Sequence, residues 1–283
     1  MNLRNKAEVA GSHWKHHATQ WAKVGSPLRP VAEDRRLYWQ AVEASLDVAA
    51  FPAVRALLLG VTPELAALPW PGAAQLVACD SSLDMVRRVW PQNGFPGAFA
   101  SAVNADWRAL PLATARCDLA IGDGCFSVLP DSGSYRRCAQ ELGRVLRAGG
   151  GLVLRLFCPP PIAESAQQVL ADLHRGDVGN FHAFKWRLVM AVHAGDAGAC
   201  LNDVWNVWSR AFPEPEAVAA LSGWSLEAIG TLEAYRNATA RYSFFSLDQV
   251  RDLLSPEFEF LQVLRPSYEL GDRCPIVSLR SRP

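Results

Sequence analysis

The sequence predicts an α/β protein built on a mostly parallel sheet, and three observations carry that prediction. Between Arg55 and Cys158 short apolar runs alternate with helical patterns, which is how βαβ units read in sequence. The first two of these runs end in Gly60 and Asp80, and each end is followed by residues that open a helix. Strand-like segments return near the carboxyl terminus, beyond a long helical stretch.

The composition is that of an ordinary globular chain: 283 residues, half of them hydrophobic, 20% charged, with 28 basic and 28 acidic side chains. Such a length buries a full core as one large domain or one domain plus a lobe, which excludes bulk disorder. Zero formal charge provides no electrostatic footprint for a nucleic-acid backbone, so no nucleic-acid partner is expected. Cysteines at 79, 117, 125, 138, 158, 200 and 274 form no CxxC pair and no metal spacing, which argues against a disulfide framework. The opening Met1 to Lys6 leads into polar sequence, and no uncharged apolar run spans a bilayer. The expectation is a cytoplasmic protein with reduced thiols and no membrane partner.

Four segments are expected: an amino-terminal helical segment 1–50, a ligand-binding core 51–160, a helical insert 161–240, and residues 241–283 completing the sheet. The first carries helices from Ser12 to Val24 and Ala32 to Ala49, separated by Pro27 and Pro30. The core carries strands at Ala56 to Leu59, Gln75 to Cys79, Ala98 to Val103, Asp118 to Ile121 and Gly151 to Phe157. Before the last lies a helix with Tyr135, Cys138, Leu142, Val145 and Leu146 at helical spacing, capped by Ser132 or Ser134 and closed by Gly149. The insert, from Pro159 to about Asn237, reads as helices; Phe258 to Leu264 and Ile276 to Leu279 are the returning strands. A helical insert after the fifth strand is expected to form a lid over the carboxyl edge of the sheet, where ligands of open α/β sheets bind.

The strand ends carry the chemistry. Gly60 lets the backbone turn and approach a ligand, and Thr62-Pro63-Glu64 reads as a cap with proline at the first helical position. Asp80, roughly twenty residues on and followed by Ser81, is placed to accept from both hydroxyls of a ribose, or else to cap the next helix. Asp106 can accept from an exocyclic amine while Trp107 covers an aromatic face; both suit a plain turn equally well. Gly122 and Gly124 keep the floor beside Asp123 open.

The order of these motifs resembles the class I S-adenosylmethionine-dependent methyltransferases over roughly residues 55 to 160. The matching pieces are the strand ending at Gly60, Asp80 with Asp84-Met85, Asn104-Ala105-Asp106 before Leu110-Pro111-Leu112, Cys117 to Ile121, and Leu142-Gly143-Arg144-Val145-Leu146-Arg147-Ala148-Gly149-Gly150. The resemblance implies a Rossmann-like, doubly wound, seven-stranded sheet and S-adenosylmethionine as cofactor. It places Gly60 at the methionine part, Asp80 at the ribose, Asp106 and Trp107 at the adenine, and the loop from Gly122 to Phe126 at the border of both cofactor and acceptor, so that Ser81, Gly122, Asp123 and Gly124 join the cofactor-binding set. The chain departs from the family's first motif, having Leu58, Thr62 and Glu64 where an acidic residue and two further glycines are usual. A cofactor without phosphates does not require phosphate-cradling glycines.

Methyl transfer is mainly a matter of positioning and water exclusion. Where the acceptor must lose a proton, Asp123, His182 and His193 are the candidate bases. Phe181, His182, Phe184, Trp186, Trp205 and Trp208, with Trp14, Trp21 and Tyr38, either wall an acceptor pocket or pack helices together. His13 and His17 stand one helical turn apart beside His16, but without a third ligand no metal site is expected. Arg29 and Arg236 are either contacts for an acidic group or surface ion-pair residues. The leading expectation is a methyltransferase acting on a small-molecule acceptor, with self-association left open. The alternative is a non-catalytic binding or regulatory protein with a degenerate glycine motif, and a nicotinamide-dependent oxidoreductase ranks third because its glycine-rich turn is missing.

Overall fold

Leu57, Leu58 and Leu59 are each at most 1% exposed, which consecutive strand residues achieve only when both faces of their sheet are covered. The computed structural model describes residues 13–46, 53–91 and 98–283. The reading of Met1 to Lys6, the end of the second helix at Ala49 and the boundary at residue 50 lie outside the described residues.

Residues 13–20 are helical and form α1, followed by α2 (Ala32–Ser45), β1 (Arg55–Leu59), α3 (Pro63–Ala66), β2 (Ala74–Asp80) and α4 (Leu83–Arg88). Next come β3 (Ala98–Asn104), β4 (Cys117–Asp123), α5 (Ser132–Val145) and β5 (Leu146–Arg155). Helices α6 (Ala166–Arg175), α7 (Phe181–Ala191), α8 (Leu201–Ala211), α9 (Pro215–Ser222) and α10 (Leu226–Ile229) follow. The short strands β6 (Ala199–Cys200) and β7 (Arg241–Tyr242) pair with each other, and α11 (Leu247–Leu254), β8 (Phe258–Leu264) and β9 (Ile276–Ser281) complete the chain.

The main sheet has seven strands in the order β3-β2-β1-β4-β5-β9-β8. Strands β1 to β5 run parallel, and β9 runs antiparallel between β5 and β8. This is the predicted mostly parallel, doubly wound sheet. Strand order reverses between β1 and β4, and a crevice opens there beyond the carboxyl ends. Alternate β1 residues serve opposite faces: Leu57 and Leu59 pack with α5 and α11, while Ala56 and Leu58 pack with α2 and α3. A third apolar cluster unites Phe181, Phe184, Leu188, Trp208 and Trp224 within the helices after β5.

Two local expectations are corrected. Helix α5 is capped by Asp131, whose Oδ1 accepts from the Ser134 N–H at 2.7 Å, rather than by Ser132 or Ser134. Asp131 immediately precedes the first helical residue, Ser132, so its carboxylate is the one placed to accept from the orphan amide of the third, Ser134. Gly149, at φ +72°, lies within β5 rather than after a helix, because α5 passes into β5 at Leu146 without an intervening loop.

Candidate active site

Parallel register brings the site together. Leu59 pairs with Cys79 on one side and Gly122 on the other, so Gly60, Asp80 and Asp123 end neighbouring strands side by side. Gly60 donates its N–H to Cys79 O at 2.8 Å and adopts φ +92°, a conformation that side chains disfavour. A Cβ on Gly60 would stand 3.8 Å from Asp80 Oδ2 and 3.9 Å from Trp107 Cζ2. The missing side chain therefore leaves a bare patch bounded by a carboxylate and an indole.

Asp80 Oδ1 accepts from the Ser82 N–H at 2.8 Å, while Ser82 itself caps α4 by accepting from Met85. Among the described residues none donates to Asp80 Oδ2. Burial pushes this carboxyl up to about 6, against the pull of the Ser82 amide. Trp107 donates its Nε1–H to Cys79 O at 2.5 Å, which fixes the plane of its ring beside Gly60. Asp106 is held differently: its carboxylate takes a two-pronged contact from Arg108, and both side chains are more than a third exposed. It does not line the cavity described below, and neither does Ser81.

Asp123 closes the floor and is not a free base. Its Oδ1 accepts from Arg155 Nε at 2.6 Å and stands 2.8 Å from the Tyr38 hydroxyl, and its Oδ2 accepts a second bond from Arg155 at 3.1 Å. Arg155 also reaches Asp34 at 3.1 Å and the Tyr268 hydroxyl at 2.7 Å, and Tyr268 donates to Asp34. Burial pushes the Asp123 carboxyl up, and the Arg155 guanidinium opposes that shift. Beside it Gly124, at φ +59°, admits the Phe157 ring so closely that a Cβ would lie 2.4 Å from its Cε2. At Gly122 a Cβ would meet Cys125 Sγ at 2.5 Å, so this glycine serves packing under the floor.

A single cavity runs from these strand ends to two other parts of the chain. Gly60, Asp80 and Trp107 line one end. Trp14, His17 and Trp21, from the segment before α2, and Lys185, Trp186 and Tyr235, from the helices after β5, line the other. In the sequence His17 reads only as a partner of His13 for a metal, and no motif there singles out Lys185. The signal for Lys185 is a cation in the middle of an apolar helix, since the α7 residues Phe184, Leu188 and Val189 are fully buried. Among the described residues no three His, Cys, Asp or Glu side chains converge as a metal site would require.

The remaining candidates are engaged elsewhere. His182 Nε2 contacts Lys23 O at 3.1 Å, and burial draws its pKa down to about 4, so it stands outside the cavity as a neutral ring. His193 Nε2 accepts from the Phe244 N–H at 3.3 Å. Arg29 is paired with Glu64 at 2.6 Å, and Arg236 lies over the Trp205 ring at 5.0 Å. Phe181, Phe184 and Trp208 pack with one another in the helical cluster, whereas Trp14, Trp21 and Trp186 wall the cavity. Tyr38 lies under the floor, against Asp123. No helix among the described residues is long and apolar enough to cross a membrane.

Comparison with known proteins agrees with this geometry. Residues 57–154, from β1 to β5, match the family described as methyltransferase domain. No curated protein matches the chain in sequence. Among solved structures the chain is similar to a Rhodobacter sphaeroides protein provisionally named a Zn-dependent alcohol dehydrogenase. The two share 12% identity over 95% of this chain and 98% of that one, with a TM-score of 0.55, a likeness of fold. It is also similar to the 1,6-didemethyltoxoflavin-N1-methyltransferase of Burkholderia thailandensis, solved with S-adenosylhomocysteine (12% identity, 100% and 92% covered, TM-score 0.49). A third is the N-methyltransferase NodS of Bradyrhizobium japonicum, also with S-adenosylhomocysteine (11% identity, 95% and 100% covered, TM-score 0.48).

Proposed function

We propose that this chain is a class I S-adenosylmethionine-dependent methyltransferase that transfers the methyl group to a small molecule enclosed between its strand ends and its helices. The observation that carries this reading is the composition of the cavity: one wall is the carboxyl edge of β1, β2 and β4, and the other is built from the chain's own flanking helices. A wall of tryptophans over the acceptor end leaves a pocket suited to a compact, largely apolar ligand.

The residues present fit the cofactor. The bare patch at Gly60 admits a ligand's backbone, Asp80 Oδ2, to which none of the described residues donates, accepts from ribose hydroxyls, and Trp107 offers its ring face. Thr62 and Glu64, which replace family glycines, do not fill that patch: Glu64 is turned toward Arg29, and Thr62 Oγ1 lies 4.0 Å from the position a Gly60 Cβ would take. Asp106 and Gly124 lie farther along the same edge, as candidate contacts for the adenine and the acceptor border. Bound S-adenosylmethionine supplies an electrophilic methyl group. The protein's part is to orient both reactants and exclude water.

Two measurements test the reading. Calorimetric titration with S-adenosylhomocysteine should show micromolar binding that falls tenfold or more in Asp80→Ala, by loss of charge-assisted hydrogen bonds. Incubation with methyl-labelled S-adenosylmethionine and fractionated cell extract should put label into the low-molecular-mass fraction. Label confined to protein or nucleic acid would overturn the choice of acceptor.

A further inference from the structure

Three side chains that line the acceptor end of the cavity carry a buried polar atom with no hydrogen-bond partner among the described residues: His17 Nε2, Trp21 Nε1 and Trp186 Nε1. Leaving one such group unpaired is unfavourable by an amount comparable to a lost hydrogen bond, so three around one cavity point to a ligand that pairs with them. Two are obligate donors, the indole N–H groups. The third is an imidazole that burial holds in its neutral form, with the fields of Lys185, His13 and His16 acting in the same direction. A neutral His17 has one ring nitrogen free to accept.

Lys185 lines the same end of the cavity. Its Nζ donates to Thr231 O at 3.1 Å and to Thr231 Oγ1 at 3.2 Å, and that hydroxyl spends its own proton on Ala228 O at 2.7 Å. Two amine hydrogens are thereby used, and the remaining face of the amine looks onto the Tyr235 ring, 4.4 Å from its centroid. The His17 ring packs edgewise on the same tyrosine, centroid to centroid 5.9 Å. Tyr235 thus separates a base from a cation, while His13 and His16 face His17 from its own helix and His182 lies on the Lys185 helix.

We propose that His17 Nε2 accepts the proton of the acceptor's nucleophilic X–H group, and that Lys185 is a positioning residue acting on His17 through its charge. This rests on the methyltransferase reading and narrows the acceptor to a planar, uncharged, weakly acidic hydroxyl or ring N–H compound sandwiched by indoles. The balance is complete: a lone pair on X forms the bond to the methyl carbon, and the electrons of the broken C–S bond stay on sulfur. The X–H proton passes to His17 and then to solvent. Burial draws the Lys185 amine down to about 7, so below that pH its charge opposes a proton on His17 and above it the opposition fades.

The test uses the full chain saturated with S-adenosylhomocysteine, and 4-nitrophenol as probe. The wild type should bind 4-nitrophenol, with binding weakened about tenfold in His17→Phe and retained in His17→Gln, which restores an acceptor near the Nε2 position. Equal binding by His17→Phe and wild type, tighter binding of 4-nitrobenzoate than of 4-nitrophenol, or no binding of the phenol at all overturns the proposal. Independently, the His17 imidazole followed by NMR should titrate at higher pH in Lys185→Met than in the wild type, and an unmoved midpoint removes Lys185 from the scheme. Loss of S-adenosylhomocysteine binding in the wild type would instead overturn the cofactor reading, so the two failures are distinguishable.

Discussion

Arg155 and Asp123 occupy paired positions on the adjacent strands β5 and β4, and their side chains meet at two points, 2.6 and 3.1 Å apart, under the floor of the cavity. Arg155 is fully buried, and Asp34 completes a group of one cation between two carboxylates. The pair orients Asp123 and fixes the end of β4 beneath the cavity. Replacing Arg155 by methionine strands two buried carboxylates, and a loss of about 3–5 kcal/mol in unfolding free energy is expected. Urea denaturation of the two proteins at neutral pH measures it, and a loss below about 1 kcal/mol would mean the carboxylates take up protons at little expense.

Asp80 is predicted to trade stability for binding. Its carboxyl is raised from 3.8 to about 6 in the folded chain, so between those values the folded state binds more protons than the unfolded state. Stability conferred by that proton is therefore present at low pH and is lost as pH rises through about 6. Asp80→Asn should consequently raise stability at pH 7.5 by about 1–2 kcal/mol, allowing for partial exposure, and have little effect at pH 4. The same substitution should weaken S-adenosylhomocysteine binding. Thermal melts at the two pH values, paired with calorimetry, check both signs.

At Gly60 a methyl group both strains the backbone and occupies the bare patch. Gly60→Ala should destabilise the protein by about 1–2 kcal/mol through its left-handed φ. It should also reduce S-adenosylhomocysteine affinity at least tenfold, a steric loss that raising the protein's stability elsewhere does not repair. Unchanged affinity in the folded variant would move the cofactor away from Gly60.

Asp106 offers a contrast on the same sheet edge. Its pairing with Arg108 is solvent-exposed, so Asp106→Ala should change unfolding free energy by less than about 1 kcal/mol. Its effect on S-adenosylhomocysteine affinity should be smaller than that of Asp80→Ala, because Asp80 keeps at the patch an oxygen that none of the described residues engages, while Asp106 is committed to Arg108. Side-by-side titrations of the two variants decide the order.

Much of the core was legible because βαβ periodicity does two jobs at once. It marks where a strand ends, and in a parallel sheet all such ends lie on one edge, so Gly60, Asp80, Trp107 and Asp123 could be grouped without coordinates. What periodicity cannot report is the partner of a polar side chain. Asp123 reads as a candidate base in isolation, yet Arg155, thirty-two residues on, claims both its oxygens. His182 reads as part of an aromatic wall, yet its ring rests against Gly25, whose Cβ would stand 3.2 Å from His182 Cδ2. The expected cap of α5 is a smaller case, where Asp131, Ser132 and Ser134 compete and geometry selects Asp131.

The sequence by itself determined the mostly parallel sheet with its helical crossovers and the edge that Gly60 and Asp80 share, because hydrophobic period and turn chemistry are local properties. Only the tertiary structure decided which side chains close the helical end of the cavity. His17 and Lys185 are separated by most of the chain and meet around Tyr235 because α1 and α7 pack over the same crevice. Their chemistry, a neutral imidazole and a lysine with weakened hold on its proton, comes from shared burial and mutual charge. Desolvation and Coulomb interaction act through space, so neither exists until the helices have docked.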